Sequence, residues 1–91
     1  MNVRYYIDPA TGEPHIHNHD VTETEVEEVL ARPGEDRPGA DGARVAAGQS
    51  SAGRYLRVVY VAETGGVFVI TAYDLRGKAL LAYRRRRRRK R

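Results

Sequence analysis

The sequence predicts an α+β domain: an antiparallel meander of three to four strands, with one helix from the N-terminal half and one C-terminal helix packed on it. Three stretches carry this expectation. Arg54 to Leu75 reads as two β-branched and aromatic runs flanking Glu63-Thr64-Gly65-Gly66, the signature of a hairpin. Val21 to Arg32 places Val26, Val29 and Leu30 in one apolar stripe at helical spacing. Lys78 to Tyr83 is rich in helix formers, with Leu80, Leu81 and Tyr83 as its apolar set.

Taken in order, Val3 to Ile7 reads as a short edge strand closed by the turn residues Asp8-Pro9-Ala10-Thr11-Gly12. His15, His17 and His19 follow at alternate positions. On a strand they share a face, whereas on a helix His15 and His19 stack one turn apart. In the next segment Thr22 fits an N-cap with Glu25 at capping-box spacing, and Val21 and Val26 hold the two positions of a hydrophobic staple. The early glutamates Glu23, Glu25, Glu27 and Glu28 suit the positive end of the helix dipole, so solvation and dipole account for them without catalysis. Pro33-Gly34 stops the helix, and Gly34 to Gly42 reads as a polar loop. Ala43 to Gln49, a strand of small residues containing Arg44, completes a meander with strands over 54–62 and 67–74.

Both hairpin strands are apolar at almost every position, which predicts cover on both faces of the sheet. With an even-length turn, Val59, Val61, Phe68, Ile70 and Ala72 share a face with Tyr55 and Arg57, and this face reads as core. The opposite face joins Leu56, Val58, Val67 and Val69 to Arg54, Tyr60, Thr71 and Tyr73, an apolar floor with a polar fringe that suits a ligand.

The 91 residues make one small domain, residues 1–83, followed by a basic tail, residues 84–91. The tail holds eight of the sixteen basic residues, which leaves a net −4 on residues 1–83 out of the overall +4. An acidic body with a basic arm points to a polyanionic partner; a solvated, frayed end is the plainer alternative. The tail is expected to continue the last helix for a turn or two before its like charges fray it. Without cysteine there is no disulfide, thiolate ligand or thiol nucleophile. The absence of a long apolar run or an apolar leader predicts a soluble, cytoplasmic protein with no membrane partner.

Histidines titrate near neutrality and are the natural proton carriers, which puts His15 and His19 forward as acid and base. There is no phosphate-binding glycine loop, no nucleophile elbow and no spaced metal-ligand pair, so neither a metal nor a cofactor is expected. What accumulates is arginine and tyrosine: Arg44, Arg54, Arg57, Tyr60, Tyr73, Tyr83 and the tail from Arg84, Arg85 and Arg86 onward. Guanidinium groups bind phosphate and phenol rings stack on unpaired bases, a combination suited to single-stranded RNA. The same groups can stabilise attack of a ribose 2′-hydroxyl on its own phosphate without a metal. Composition leaves binding and cleavage both open.

The order of short motifs adds a family likeness. His19-Asp20-Val21 precedes the Glu-rich helix, Gly53-Arg54 leads into a Val-rich strand, and Ile70-Thr71-Ala72 precedes a closing basic helix with Tyr83. Over about residues 8–84 the chain resembles the BrnT-type toxins of the RelE superfamily: these elements are similar to the family's Lys-His-Gly-Val, Gly-Arg and Ile-Ser-Ala. The chain departs from the pattern at Tyr73, where those toxins usually carry arginine, and in Asp8 to Gly12, which lacks their lysine. The resemblance implies a RelE-like fold and a toxin-type endoribonuclease acting on mRNA, neutralised by an antitoxin that often carries a ribbon-helix-helix domain. On that reading His15, His19, Arg54 and Tyr73 are catalytic, and Arg44, Arg57, Tyr60, Tyr83, Arg84, Arg85 and Arg86 bind RNA. The rival is a non-catalytic RNA- or ribosome-binding module that works mainly through its polyarginine tail.

Overall fold

The predicted hairpin forms the centre of a larger sheet. The computed structural model describes residues 2–89. In chain order it has β1 (Asn2–Tyr5), a 3₁₀ turn His15–His19, α1 (Glu23–Ala31), β2 (Glu35–Pro38), β3 (Arg44–Gln49), β4 (Tyr55–Glu63), β5 (Gly66–Asp74) and α2 (Gly77–Arg89). The strands form one five-stranded sheet in the order β1-β5-β4-β3-β2. The α+β class is therefore as expected. The sheet is mixed rather than antiparallel, because β1 runs parallel to β5, and with five strands it has one more than the four expected at most. That extra strand, β2, lies inside the segment expected to be a polar loop. Glu35-Asp36-Arg37-Pro38 has no strand pattern, and its pairing with β3 is a tertiary choice. Charge and a terminal proline suit it to a sheet edge.

Local chemistry explains the ends of α1. The Thr22 side chain accepts from the Glu25 amide and the Glu25 carboxylate accepts from the Thr22 amide, a full capping box. Two close approaches need glycine. A Cβ on Gly66 would fall 1.9 Å from Asn2 O, so glycine lets β1 lie against β5, and a Cβ on Gly34 would fall 1.9 Å from Tyr83 Oη.

A β-bulge decides which side chains face which way. Glu63 pairs with Gly66 across the tight turn and Tyr60 pairs with Val69, but Val59 pairs with Thr71. Ile70 is thus the extra residue, and beyond it β5 is turned over relative to simple alternation. The face assignment from sequence is corrected on two counts. Leu56, Val58, Val67 and Val69, expected to face a ligand, form the main core beneath α1 and the 3₁₀ turn, together with Ile16, Val21, Val26 and Val29. The bulge then moves Ala72 into that core and turns Thr71 and Tyr73 to the opposite face, beside Val59 and Arg57. The expected cover on both faces is present: α2 buries Tyr83 against Ala47 and Leu75, with Tyr55, Ala79 and Leu80 at the margin. This cover is partial, since Val59, Val61, Phe68 and Ile70 stay half-buried.

Leu56 is fully buried at the centre of the main core. Leu56→Ala should lower the unfolding free energy by about 2–5 kcal/mol in a urea titration with unchanged slope. A loss below about 1 kcal/mol would place the core elsewhere.

Candidate functional site

Arg54, taken from sequence as catalytic, sits at the start of β4 with its donors already occupied. Its Nε donates to Asp74 Oδ1 at 2.7 Å and its Nη2 to Asp74 Oδ2 at 3.2 Å, a bidentate pair with the end of β5. Its Nη1 donates to Glu25 Oε1 at 3.1 Å and to Asp20 O at 2.6 Å, and its Nη2 also reaches His19 O at 3.2 Å. This guanidinium holds together the two central strands, the start of α1 and the loop before it. Its bonds, with help from Arg76, hold the Asp74 carboxyl down at about 2.

Arg44 and Tyr60 share one acidic partner, although Arg44 keeps its Nη1 donors free among the described residues. Arg44 Nε donates to Asp36 Oδ1 at 2.9 Å, the Tyr60 hydroxyl donates to Asp36 Oδ2, and the Tyr60 ring is buried, which keeps it from stacking on a base. Arg86 holds Glu35 through two donors, Nη2 at 2.9 Å among them, and this pair lowers the Glu35 carboxyl below its ordinary range.

Four of the remaining predicted residues, His15, His19, Tyr73 and Arg57, form a chain of neighbours, and Arg85 lies outside it, exposed on α2. The His15 and His19 rings lie 5.4 Å apart, one turn apart as a helical reading requires. His19 meets Tyr73 edge-on at 6.0 Å, and Tyr6 extends the row at 6.2 Å from His15. His17 points elsewhere, held between Glu13 at 3.1 Å and Glu23 at 2.8 Å; chiefly through Glu23, these carboxylates raise its pKa. Arg57 is the β-ladder partner of Tyr73. Among the described residues it makes no side-chain hydrogen bond and no ion pair, although it is half-buried. Tyr73 stands between two clefts. One, of about 310 Å³, is lined by His19, Asp20, Tyr73, Asp74 and Arg76. The other, of about 260 Å³, has Arg57, Tyr73, Tyr83 and Arg86 on its walls together with Glu35 and Arg37.

The arrangement therefore offers two neighbouring imidazoles, a phenol and an uncommitted guanidinium in series. Among the described residues no three histidine or acidic side chains are grouped to hold a metal ion, and no helix is long and apolar enough to cross a membrane. Tyr6 and Tyr55 were not singled out from sequence as site residues. Alternation along β4 puts Tyr55 on the face of Arg57 and was the available signal, whereas the row from Tyr6 to Tyr73 depends on a contact distant in sequence. Comparison of the chain with protein-family models, with curated proteins and with solved structures finds no match.

Two expectations separate the clamp from the open guanidinium. Arg54→Ala leaves Glu25 without its counter-charge and Asp74 with Arg76 alone, and should cost about 1–3 kcal/mol in thermal or chemical unfolding. Arg57→Ala breaks no observed hydrogen bond and should change stability by no more than about 0.5 kcal/mol. The depressed Asp74 carboxyl also gives a pH signature. A carboxylate with a lowered folded-state pKa stabilises the fold above its ordinary value of 3.8, and the contribution fades as pH falls from there towards about 2. In acid-unfolding curves Asp74→Asn should be less stable than wild type at pH 6 and should lose less of its remaining stability across that window.

Proposed function

We propose that the protein is a small, metal-independent endoribonuclease of the toxin type, acting on single-stranded RNA such as mRNA. The observation that carries this reading is the position of Tyr73, which lines one cleft with His19 and the next with Arg57. RNA cleavage by internal transfer needs little more than such a series. The 2′-oxygen attacks the adjacent phosphorus while one imidazole of the His15–His19 pair takes its proton. The P–O5′ bond then breaks, and a protonated imidazole returns a proton to O5′, giving a 2′,3′-cyclic phosphate and a 5′-hydroxyl. Arg57, with donors to spare, stabilises the charge on the phosphoryl oxygens at its peak. Tyr73 holds the flanking base or orients the phosphate.

The reading agrees with the likeness to BrnT-type toxins of the RelE superfamily, and it transfers phosphate binding from Arg54 to Arg57. Where those toxins usually carry arginine this chain has Tyr73, and its strand partner Arg57 supplies the cation. An antitoxin partner, with or without a ribbon-helix-helix domain, belongs to the same proposal. The non-catalytic alternative is favoured by one observation, the saturated state of Arg54. In that case the clefts bind RNA without breaking it.

Cleavage of a defined mRNA, with and without translating ribosomes, decides between the two. Arg57→Ala and His19→Ala should each lower the cleavage rate about 100-fold or more. Arg57→Lys should restore only part of it, because a point charge cannot replace the planar fork. Unchanged cleavage in Arg57→Ala would remove this residue from the site. No cleavage by wild type, with salt-sensitive RNA binding intact, would establish the binding module.

A further inference from the structure

A third and larger cleft, of about 570 Å³, lies on the far side of Tyr83 and is lined by Arg32, Gly34, Gln49, Tyr55, Tyr83, Arg84, Arg87 and Arg88. It shares Tyr83 with the Arg57 cleft, as that cleft shares Tyr73 with the His19 cleft. Its lining differs from the other two in one respect. The His19 cleft contains Asp20 and Asp74 and the Arg57 cleft contains Glu35, but the third has four arginines and no carboxylate. Among the described residues none of Arg32, Arg84, Arg87 and Arg88 pairs with an acidic side chain. Arg87 donates to Gly34 O at 2.9 Å, and the Arg84 guanidinium lies 5.8 Å from the centre of the Tyr55 ring. Arg86, on another side of the same helix, is neutralised by Glu35. Arg84, Arg87 and Arg88 of α2 thus join Arg32 beside an aromatic floor, whereas Arg85 and Arg89, on another side of the helix, line none of the three clefts.

We propose that this cleft is a distal subsite for single-stranded RNA, continuous with the His19 and Arg57 clefts, so that one extended strand runs past Tyr73 and Tyr83 to end between Tyr55 and α2. The proposal rests on the ribonuclease reading for the identity of the centre, and adds the substrate's form: an unpaired strand longer than the centre itself occupies. Phosphates in the distal cleft meet Arg32, Arg87 and Arg88, and a base stacks on Tyr55, the ring already engaged by Arg84. Alternating arginines and rings along a groove match the chemistry of an unpaired strand, which presents both charge and exposed base faces. A duplex keeps its base faces stacked inside and offers none to Tyr55.

The test is fluorescence-anisotropy titration of non-cleavable 2′-O-methyl RNA, about four and about twelve nucleotides long, against salt. In Arg87→Ala/Arg88→Ala the affinity for the longer strand should fall about tenfold and its salt slope by about 1.4, since each phosphate contact to a single strand contributes about 0.7. Binding of the short strand should not change. Equal losses at both lengths, or none at either, would overturn the distal subsite. Tyr55→Leu, which keeps an apolar side chain against Tyr83, should weaken the longer strand and leave a linear polyphosphate of equal charge unaffected. An unweakened RNA complex, or polyphosphate and duplex competing as well as the single strand, would reduce the cleft to a charge patch and overturn the proposal. The central site fails separately: in that event the short strand binds Arg57→Ala as well as wild type.

Discussion

The Arg54 clamp is the interaction on which the rest of the arrangement depends. One guanidinium joins Asp74 at the end of β5, Glu25 in the first turn of α1 and the main-chain oxygens of His19 and Asp20. Glu25 is also the acceptor that completes the capping box of α1, so the charge pair and the helix start reinforce each other. The two carbonyls belong to the end of the histidine turn, where Asp20 adopts a left-handed backbone at φ 57°. A short side chain tolerates that conformation, and the hydrogen bond to its carbonyl helps to hold it. The position of His19 beside Tyr73 is thereby tied to the strand that carries Arg57. Arg54 acts as a positioning residue for this row of groups, with its own donors already used.

The second constraint is the single extra residue in β5. Without the bulge at Ile70, strict alternation would put Tyr73 on the face of Leu56, in the core under α1. With it, Tyr73 lies on the face of Arg57, and Ala72 fills the space against the helix with a side chain small enough to fit. Bulges re-aim side chains in this way at the cost of one unpaired ladder position. The aromatic group between the two small clefts thus owes its place to backbone register as much as to its own chemistry.

Much of this was legible in the sequence, and what was not has physical reasons. The hairpin, α1 with its caps and the helical start of α2 depend on local signals, and they formed where those signals lie. β2 did not announce itself, because Glu35-Asp36-Arg37-Pro38 carries no apolar period and becomes a strand only by pairing with β3. The parallel pairing of β1 was equally hidden, since nothing in Asn2–Tyr5 encodes a partner in β5. The two faces of the hairpin were exchanged for a related reason: both are rich in valine, and which one α1 covers is decided by packing at a distance. Among the candidate site residues, His15, His19, Tyr73, Arg57 and Tyr83 do lie along one surface. Arg44, Arg54 and Tyr60 have the same chemistry in sequence, and only their acidic partners, distant in sequence, show that they are occupied.

That distinction between occupied and unoccupied cations also gives the C-terminal run its meaning. Six consecutive arginines on one helix repel at the i, i+3 and i, i+4 spacings by about 0.2–0.5 kcal/mol a pair. Some of this is offset where the run lies, near the negative end of the helix dipole. More is offset by Glu35, which pairs with Arg86, and by the Gly34 carbonyl, which accepts from Arg87. Both partners belong to the segment that leaves α1 and becomes β2, so this end of α2 is held to the body by the strand the sequence concealed. Of the remaining guanidiniums, Arg84 and Arg88 line the cleft beside Tyr55 with no carboxylate to face, and Arg84 lies against its ring. A bound polyanion would relieve the repulsion within the helix at the same time as it filled the cleft, so helix order and anion binding favour each other.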